Sequence, residues 1–348
     1  MKTLYIFIEK MSMLEHALTQ LSNKEKKYKD FEKKLLSYDE IKVFNLFGFG
    51  LYTFKLPSKI KYKNYPYIKE KEYKRITKIG KIDIENYIPE KYNDNLYIRY
   101  NIKYTKLSDY QEALNKTQNV DFLIYVDCDA TGVNIIDRLL NDYCPQWRNK
   151  INNIYINLFM KFEDIFNVFK TKNDFIKYDR IKKIGNIKFF FDYNYMINSM
   201  IFFKEILNNT QNKEDIYMSK YTVLTLHLIW KEYKNKSFRF VEILQKMENK
   251  FKIKDSYIGN IGTPISGHVI LSNILQLNIF DEISKERYIF NEKSEAFISL
   301  FHKKTFDPYI ISRLENWKTL KEDEAKEKIS KYLLDIFKCQ KKKNNYLK

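Results

Sequence analysis

The sequence predicts an α/β domain built on a parallel sheet, followed by a mainly helical domain. Residues 4–8 and 122–126 are short, nearly continuous apolar runs, which are typical of strands buried on both faces of a parallel sheet. Helical patterns follow both runs, and this alternation favours a parallel α/β unit. Because helical periodicity dominates beyond residue 172, we expect domains at 1–172 and 173–348.

The composition favours a polyanionic partner. The chain carries 62 Lys and Arg against 44 Asp and Glu, a net charge of +18, which repels itself unless counterions or polyanions share the surface. Aromatic residues make up 16 % of the chain and apolar residues 44 %, so we expect a sizeable core and rings able to stack on bases. An AT-rich genome also raises the lysine content, so the charge alone names no activity.

Cysteine usage and the N-terminus predict a cytoplasmic protein. Cys128, Cys144 and Cys339 form no CxxC pair and no disulfide framework. No apolar run approaches the roughly 18 residues of a membrane span. Glu9 and Lys10 interrupt the N-terminal apolar run too early for a signal peptide. We therefore expect no membrane contact.

Further elements follow from caps and periodicity. Ser12 and Glu15 match a capping box that opens a helix, and residues 43–47 predict a second strand. Residues 154–159 predict another strand, with a helix from Phe162 onward.

The second domain is predicted to be winged-helix-like. Thr263 and Pro264 form a helix start, and a strand at 288–290 after that helix gives a helix-then-wing arrangement. The other predicted elements are a strand at 187–191 and helices at 223–230, 240–247 and 320–337, with a basic tail at 341–343.

A basic, tyrosine-rich segment covers residues 59–81. Cations that follow phosphates and rings that stack on bases are what a groove for single-stranded nucleic acid needs. An exposed loop in a lysine-rich chain has the same composition, so both interpretations stay open. The candidate nucleic-acid contacts in this segment are Lys59, Lys61, Lys63, Lys74 and Arg75.

Three carboxylates follow predicted parallel strands. Glu9 ends the first strand, and Asp127 and Asp129 end the strand at 122–126. Ligands gather at the carboxyl ends of such strands, and Mg²⁺ would relieve the repulsion between the carboxylates. Ordinary strand-end acids look the same, so a metal site and a structural role both remain open.

The motifs together resemble a toprim domain, and in their order along the chain they are similar to type IA DNA topoisomerases of the topoisomerase III kind. The resemblance rests on Glu9-Lys10-Met11-Ser12, on Asp-x-Asp-x-x-Gly at 127–132, and on weaker matches at 190–194, 240–248 and 261–266. It implies Mg²⁺ held by Glu9, Asp127 and Asp129. It also implies that these three carboxylates and Lys10 are the catalytic residues, that Lys10, Thr263 and Ser266 contact phosphates, and that single-stranded DNA is the preferred partner.

The departures from that family bear on activity. Ala130, Thr131 and Val133 stand where the family has an Arg and two Glu, and Gly267 stands in place of another Arg. The sequence lacks the family's Tyr-x-Arg-Thr-Asp-Ser motif, which carries the nucleophilic tyrosine, and it lacks the gate module. Only the segment around Tyr217 shows a local similarity to that motif. These departures predict weaker metal binding and argue against covalent strand cleavage.

Three functional classes stay open. The first is a topoisomerase (an isomerase), alone or with a partner protein that supplies the missing function. The second is a Mg²⁺-dependent toprim nuclease or primase-like enzyme. The third is a non-catalytic DNA-binding or assembly protein of a mobile element.

Overall fold

The chain forms two compact units. The first consists of residues 1–55 and 72–186, and the second of residues 56–71 and 187–348. The division falls after residue 186, and a segment from the first half of the sequence belongs to the second unit. The computed structural model describes residues 1–22, 28–46, 52–55, 65–88, 94–106, 109, 119–159, 162–207, 219–248, 252–253, 256–257 and 264–347.

The first unit alternates strands and helices. Its strands are β1 Thr3–Ile8, β2 Glu40–Asn45, β3 Tyr52–Phe54, β4 Tyr73–Arg75, β5 Lys78–Ile79, β6 Ile82–Asp83, β7 Ile102–Tyr104, β8 Val120–Asp127 and β9 Asn153–Phe159. Its helices are α1 Met11–Ser22, α2 Lys29–Leu35, α3 Asp94–Arg99, α4 Ala130–Tyr143, α5 Trp147–Lys150, a 3₁₀ helix Phe162–Lys170 and the first part of α6 Ile176–Leu207.

Five of these strands form a parallel sheet in the order β7-β2-β1-β8-β9. Strands β1 and β8 are therefore central neighbours, with Ile8 in register with Tyr125. The strands run the same way, so their carboxyl ends lie along one edge of the sheet, where ligands of such folds gather. The predicted parallel α/β core is confirmed.

Both faces of the sheet are buried, as the continuous apolar runs predict. Leu4, Ile6 and Ile8 pack in a core with α1, α2 and the 3₁₀ helix. Tyr5 and Phe7 pack in the opposite core with α4. Because a strand alternates its side chains between two apolar layers, every residue of β1 is buried.

The predicted capping box at the start of α1 is wrong. The helix begins at Met11, so Ser12 lies inside its first turn. The backbone N–H of Met13 donates to Lys10 O, so Lys10 and not Ser12 closes the first turn. The chain therefore passes directly from Glu9 into the helix.

The second unit is mainly helical. After the later part of α6 come α7 Lys220–Tyr233, β10 Phe238–Arg239, α8 Phe240–Glu248, β11 Lys252–Ile253, β12 Ser256–Tyr257, α9 Pro264–Leu275, β13 Phe280–Ser284, β14 Arg287–Phe290, α10 Lys293–Ser299, a 3₁₀ helix Lys303–Phe306, α11 Ile310–Thr319 and α12 Glu322–Leu347. Strands β10, β14 and β13 form an antiparallel sheet in that order. Within the described part of the chain, no helix is long and apolar enough to cross a membrane.

The predicted strand at 187–191 is wrong, because these residues lie inside α6. An uninterrupted apolar and aromatic run fits a buried strand and a deeply buried helix equally well. In α6 the run is buried from several sides. Phe191 stacks near Tyr195, and Tyr195 packs edge-on against Phe337 of α12 at 5.5 Å between ring centroids.

Candidate functional site

Glu9 ties the ends of the two central strands together. Its side chain is only 1 % exposed. Its backbone N–H donates to Tyr125 O at 3.2 Å, and its Oε2 accepts from the backbone N–H of Asp127 at 2.9 Å. A charged residue this deeply buried is uncommon in proteins unless it is paired, so its position needs a structural or chemical reason.

The space for the Glu9 carboxylate depends on Gly132 in the first turn of α4. A Cβ atom at this position would lie 2.8 Å from Glu9 Oε2 and 3.3 Å from Asp127 O. A glycine lets the helix approach this closely. The Gly of the predicted Asp-x-Asp-x-x-Gly motif thus has a steric role beside Glu9.

Lys10 and Asp127 form an ion pair next to Glu9. Lys10 Nζ lies 2.8 Å from Asp127 Oδ2, and the two side chains are 52 % and 26 % exposed. The pair stands at the surface, in contrast to Glu9. Solvent or a ligand therefore reaches this pair directly, as it reaches the exposed Asp129.

Asp129 caps the helix that follows it, and the prediction that it also binds a metal stays a prediction. Its Oδ1 accepts from the backbone N–H groups of Thr131 at 2.7 Å and Gly132 at 2.9 Å, and its backbone is extended, so it is the N-cap of α4. The sequence assigned Asp129 to a metal because Asp-x-Asp spacing places both side chains on one side of an extended chain. The helix starts immediately after Asp129, which commits one of its oxygens to the cap.

The surroundings of Glu9 raise its pKa above the ordinary value of a glutamate. Burial raises the pKa of the Glu9 carboxyl, and the negative charges of Asp127 and Asp129 raise it further, against the lowering effect of the Asp127 amide. The hydrogen bond to Asp127 raises the pKa of the Lys10 ammonium. Glu9 Oε1 is buried and has no hydrogen-bond partner among the described residues. The site therefore combines a buried carboxyl whose pKa is raised with a lysine that stays charged.

The fit of Mg²⁺ to this cluster is partial. Within the part of the chain that the structure describes, no three His, Cys, Asp or Glu side chains are grouped as metal ligands. Asp129 Oδ1 caps α4, and Lys10 Nζ sits on Asp127 Oδ2. The unpartnered Oε1 of Glu9, the carboxylate of Asp127 and the second carboxylate oxygen of the exposed Asp129 are the groups whose chemistry suits Mg²⁺.

The predicted nucleic-acid contacts lie in different surroundings, and some of them fall outside the described residues. Lys59, Lys61, Lys63 and Thr263 lie outside the described residues, as does Tyr217. Lys74 is exposed on β4. Arg75 lies over the Tyr143 ring at 4.5 Å and pairs with Glu85 at 3.1 Å, so its guanidinium anchors β4 to α4. Ser266 is half-buried in the first turn of α9.

The described part of the basic segment is held by two asparagines that sequence reasoning missed. Asn198 accepts from the Tyr67 N–H at 2.8 Å and donates to Tyr67 O at 2.6 Å. Asn194 does the same for Lys69, at 2.8 and 2.9 Å. The two asparagines lie one turn apart on α6, so they bind residues i and i+2 of an extended chain. Two asparagines at i, i+4 within an apolar helical pattern are the sequence signal for such a clamp.

No protein-family model matches the chain, and no curated protein matches it. The function is therefore inferred from the arrangement of Glu9, Lys10 and Asp127 at the carboxyl end of the sheet.

Proposed function

We propose that this chain binds single-stranded DNA at the carboxyl end of its parallel sheet, as a toprim-type protein similar to type IA DNA topoisomerases but without strand passage. The observation that carries the proposal is the buried Glu9 between the ends of β1 and β8, beside the exposed Lys10–Asp127 pair. The sheet order supports it, because the two strands that bear these residues are adjacent.

Lys10 would supply the direct phosphate contact. Its ammonium is half exposed and carries a raised pKa, so it stays charged over the whole neutral range. Phosphate contacts of this kind provide most of the affinity of sequence-independent binding and make it salt-dependent. Lys74, exposed on β4, and the chain's surplus of 18 positive charges would add to it.

In this proposal, Asp127 and Glu9 would be the protein ligands of a Mg²⁺ ion. Protein sites for this ion often use one or two carboxylates, with waters and substrate phosphates completing the shell. A third carboxylate is therefore not required, and Asp129 stays on the helix cap. When bound, the ion would supply positive charge beside a backbone phosphate.

The second unit is proposed to be a winged-helix-like platform. The order of α7, β10, α8, α9, β13 and β14, with the sheet order β10-β14-β13, supports this assignment. Helix α9 contains no Lys or Arg, so its phosphate contacts would come from Thr263 and Ser266 at its start.

A second candidate function is Mg²⁺-dependent phosphodiester chemistry of a nuclease or primase-like kind. The raised pKa of Glu9 favours it, because a buried carboxyl whose pKa lies above its ordinary value is better suited to general acid catalysis than an exposed one. The Lys10–Asp127 pair and the capping role of Asp129 favour the non-catalytic form, a DNA-binding or assembly protein of a mobile element. An isomerase activity would need a partner protein that supplies the nucleophile.

Salt-dependent binding tests the main proposal. We expect the affinity for a labelled single-stranded oligonucleotide to fall as salt rises, with a slope of log K against log salt that is smaller by about 0.7 in Lys10→Ala. Lys304→Ala is the matched control, since Lys304 forms a comparable exposed pair with Asp335 at 2.7 Å. Salt-independent binding, or equal effects of the two substitutions, would contradict the proposal.

Incubation with Mg²⁺ separates the catalytic and non-catalytic forms. Supercoiled plasmid and labelled single strands are incubated with the protein and with Asp127→Asn, with and without Mg²⁺. A Mg²⁺-dependent product that disappears in the variant supports the second candidate. Salt-sensitive binding without any product supports a binding module.

A further inference from the structure

A cavity of about 280 Å³ lies against β9 in the first unit. Its floor is formed by buried residues of β9 and the 3₁₀ helix, and its rim by charged and polar side chains. The lining residues are Ile156, Asn157, Leu158, Asp164, Asn167, Val168, Thr171, Asp174 and Lys177.

The floor contains a polar group without a partner. Asn157 is 5 % exposed, and its Nδ2 is buried with no hydrogen-bond partner among the residues that the structure describes. Its neighbours Ile156 and Leu158 are 7 % and 6 % exposed. Because a buried amide without a partner is unfavourable, an acceptor that enters the cavity would be stabilised there.

The rim offers groups that accept hydrogen bonds and one cation. Asp164 is exposed on the 3₁₀ helix, and Asp174 accepts from the Ile176 N–H at 3.2 Å at the start of α6. Lys177 Nζ donates to Leu158 O at 3.0 Å, which fixes the lysine against the edge of β9. A matching ligand therefore presents donors to the rim and an acceptor to the floor.

The cavity is close to the candidate phosphate site. Asn157 is the register partner of Tyr125, and Asp127 lies two residues further along β8. With strands about 4.8 Å apart and a rise of about 3.3 Å per residue, the Cα atoms of Asn157 and Asp127 are about 8 Å apart. Their side chains lie on the same face of the sheet, because both share that of Tyr125. This separation is within the reach of one nucleotide.

We propose that this cavity holds one unstacked nucleobase of the bound strand, and that guanine is the matching base. This inference rests on the proposed function, since the strand would be placed by its phosphate at Lys10. A base has a flat apolar face for Val168, which packs on the same face of the sheet as Asn157. The guanine edge places the O6 acceptor beside the N1–H and N2–H donors, which suits the Asn157 amide and the Asp164 carboxylate together.

Nucleosides test the pocket apart from phosphate binding, because they carry no charge. Isothermal titration of the full chain with guanosine, adenosine, cytidine and uridine should show the tightest binding for guanosine. Asn157→Leu and Asp164→Asn should each reduce guanosine affinity about tenfold, the discrimination expected from one well-placed base contact. Glu163→Gln is the matched control, because Glu163 is exposed on the same 3₁₀ helix and does not line the cavity.

The outcomes distinguish the base pocket from the proposed DNA binding. Equal binding of all four nucleosides, no binding, or guanosine affinity unchanged in both variants overturns the pocket, even when single-stranded DNA still binds with the expected salt dependence. Guanosine binding that the two variants weaken, without salt-dependent DNA binding, supports the pocket and overturns the proposed function. The exposed Asp164 keeps the test valid if Asn157→Leu fails to fold.

Discussion

Gly132 approaches Glu9 so closely that a Cβ atom on the glycine would lie 2.8 Å from Glu9 Oε2. Real Cβ atoms do not come this near to another heavy atom, so a side chain at residue 132 forces Glu9 or α4 to move. The glycine of the motif and the buried acid are thus one packing unit. The contact between Gly132 and Glu9 positions the Asp127 backbone and the cap of α4.

Gly132→Ala should destabilise the first unit. Alanine favours a helix interior over glycine by about 0.5–1 kcal/mol, but the overlap with Glu9 costs about 1–3 kcal/mol, so the net effect is a loss. Thermal unfolding measures it. The double variant Gly132→Ala, Glu9→Ala should recover stability relative to Gly132→Ala, and a double variant that adds the two losses would show that Glu9 is not the colliding group.

Glu9→Gln should stabilise the protein at neutral pH. The folded-state pKa of Glu9 is raised, so the folded state binds its proton more tightly and loses stability as the pH rises from the unfolded-state value through the folded-state value. A neutral amide removes that loss while its oxygen still accepts from the Asp127 N–H.

The difference between wild type and Glu9→Gln should vanish at acidic pH, where the carboxyl is protonated in both states. Melting temperatures measured at pH 4 and pH 8 test this, with Glu163→Gln as the exposed control. An equal effect of Glu9→Gln at both values would argue against the raised pKa.

Asp129 substitutions separate its capping role from metal binding. Asp129→Ala should cost about 1 kcal/mol through loss of the α4 cap, whereas Asp129→Ser should keep most of that stability, because serine caps as well as aspartate does. Urea unfolding measures the stability. If Asp129→Ser also abolishes a Mg²⁺-dependent product while folding normally, Asp129 binds the ion in addition to capping.

Asn198→Ala should release residues 65–71 from α6. The substitution leaves the N–H and C=O of Tyr67 without their partners, and each unsatisfied group costs about 1–3 kcal/mol when buried. We expect faster proteolysis within this segment. Asn235→Ala, at an exposed position, should leave the cleavage rate unchanged, and equal rates in the two variants would contradict the clamp.

His227 should make the second unit acid-sensitive. Burial, and next the charge of Lys231, lower its pKa to about 4, and its ring stacks on Phe306 at 4.5 Å between centroids. The unfolded chain therefore binds the proton more tightly, and stability falls as the pH drops from about 6.5 toward 4. His227→Phe, which keeps the stacking, should lose less stability over this window, by at most about 3 kcal/mol. Parallel pH profiles of wild type and variant would contradict this role.

The periodicity of the sequence was sufficient for the parallel core. The runs that form β1, β8 and β9 are apolar on both faces of the strand. This apolar pattern can be read from the local sequence, and it is typical of strands in a parallel sheet. Glu9, Lys10 and Asp127 could be grouped for the same reason, since the carboxyl ends of parallel strands share an edge. The aromatic run at 187–191 misled because burial on all sides removes the periodicity that distinguishes helix from strand.

The use of those side chains depends on how the chain segments pack together. Asp129 became a helix cap because α4 starts one residue later, and Glu9 acquired its raised pKa from burial beneath that helix. The clamp between Asn198 and Tyr67 joins residues 131 positions apart. The sequence shows which residues are apolar, charged or polar and how they are spaced along the chain. Hydrogen-bond partners, desolvation and close approach depend on the distances between chain segments, which only the folded packing determines.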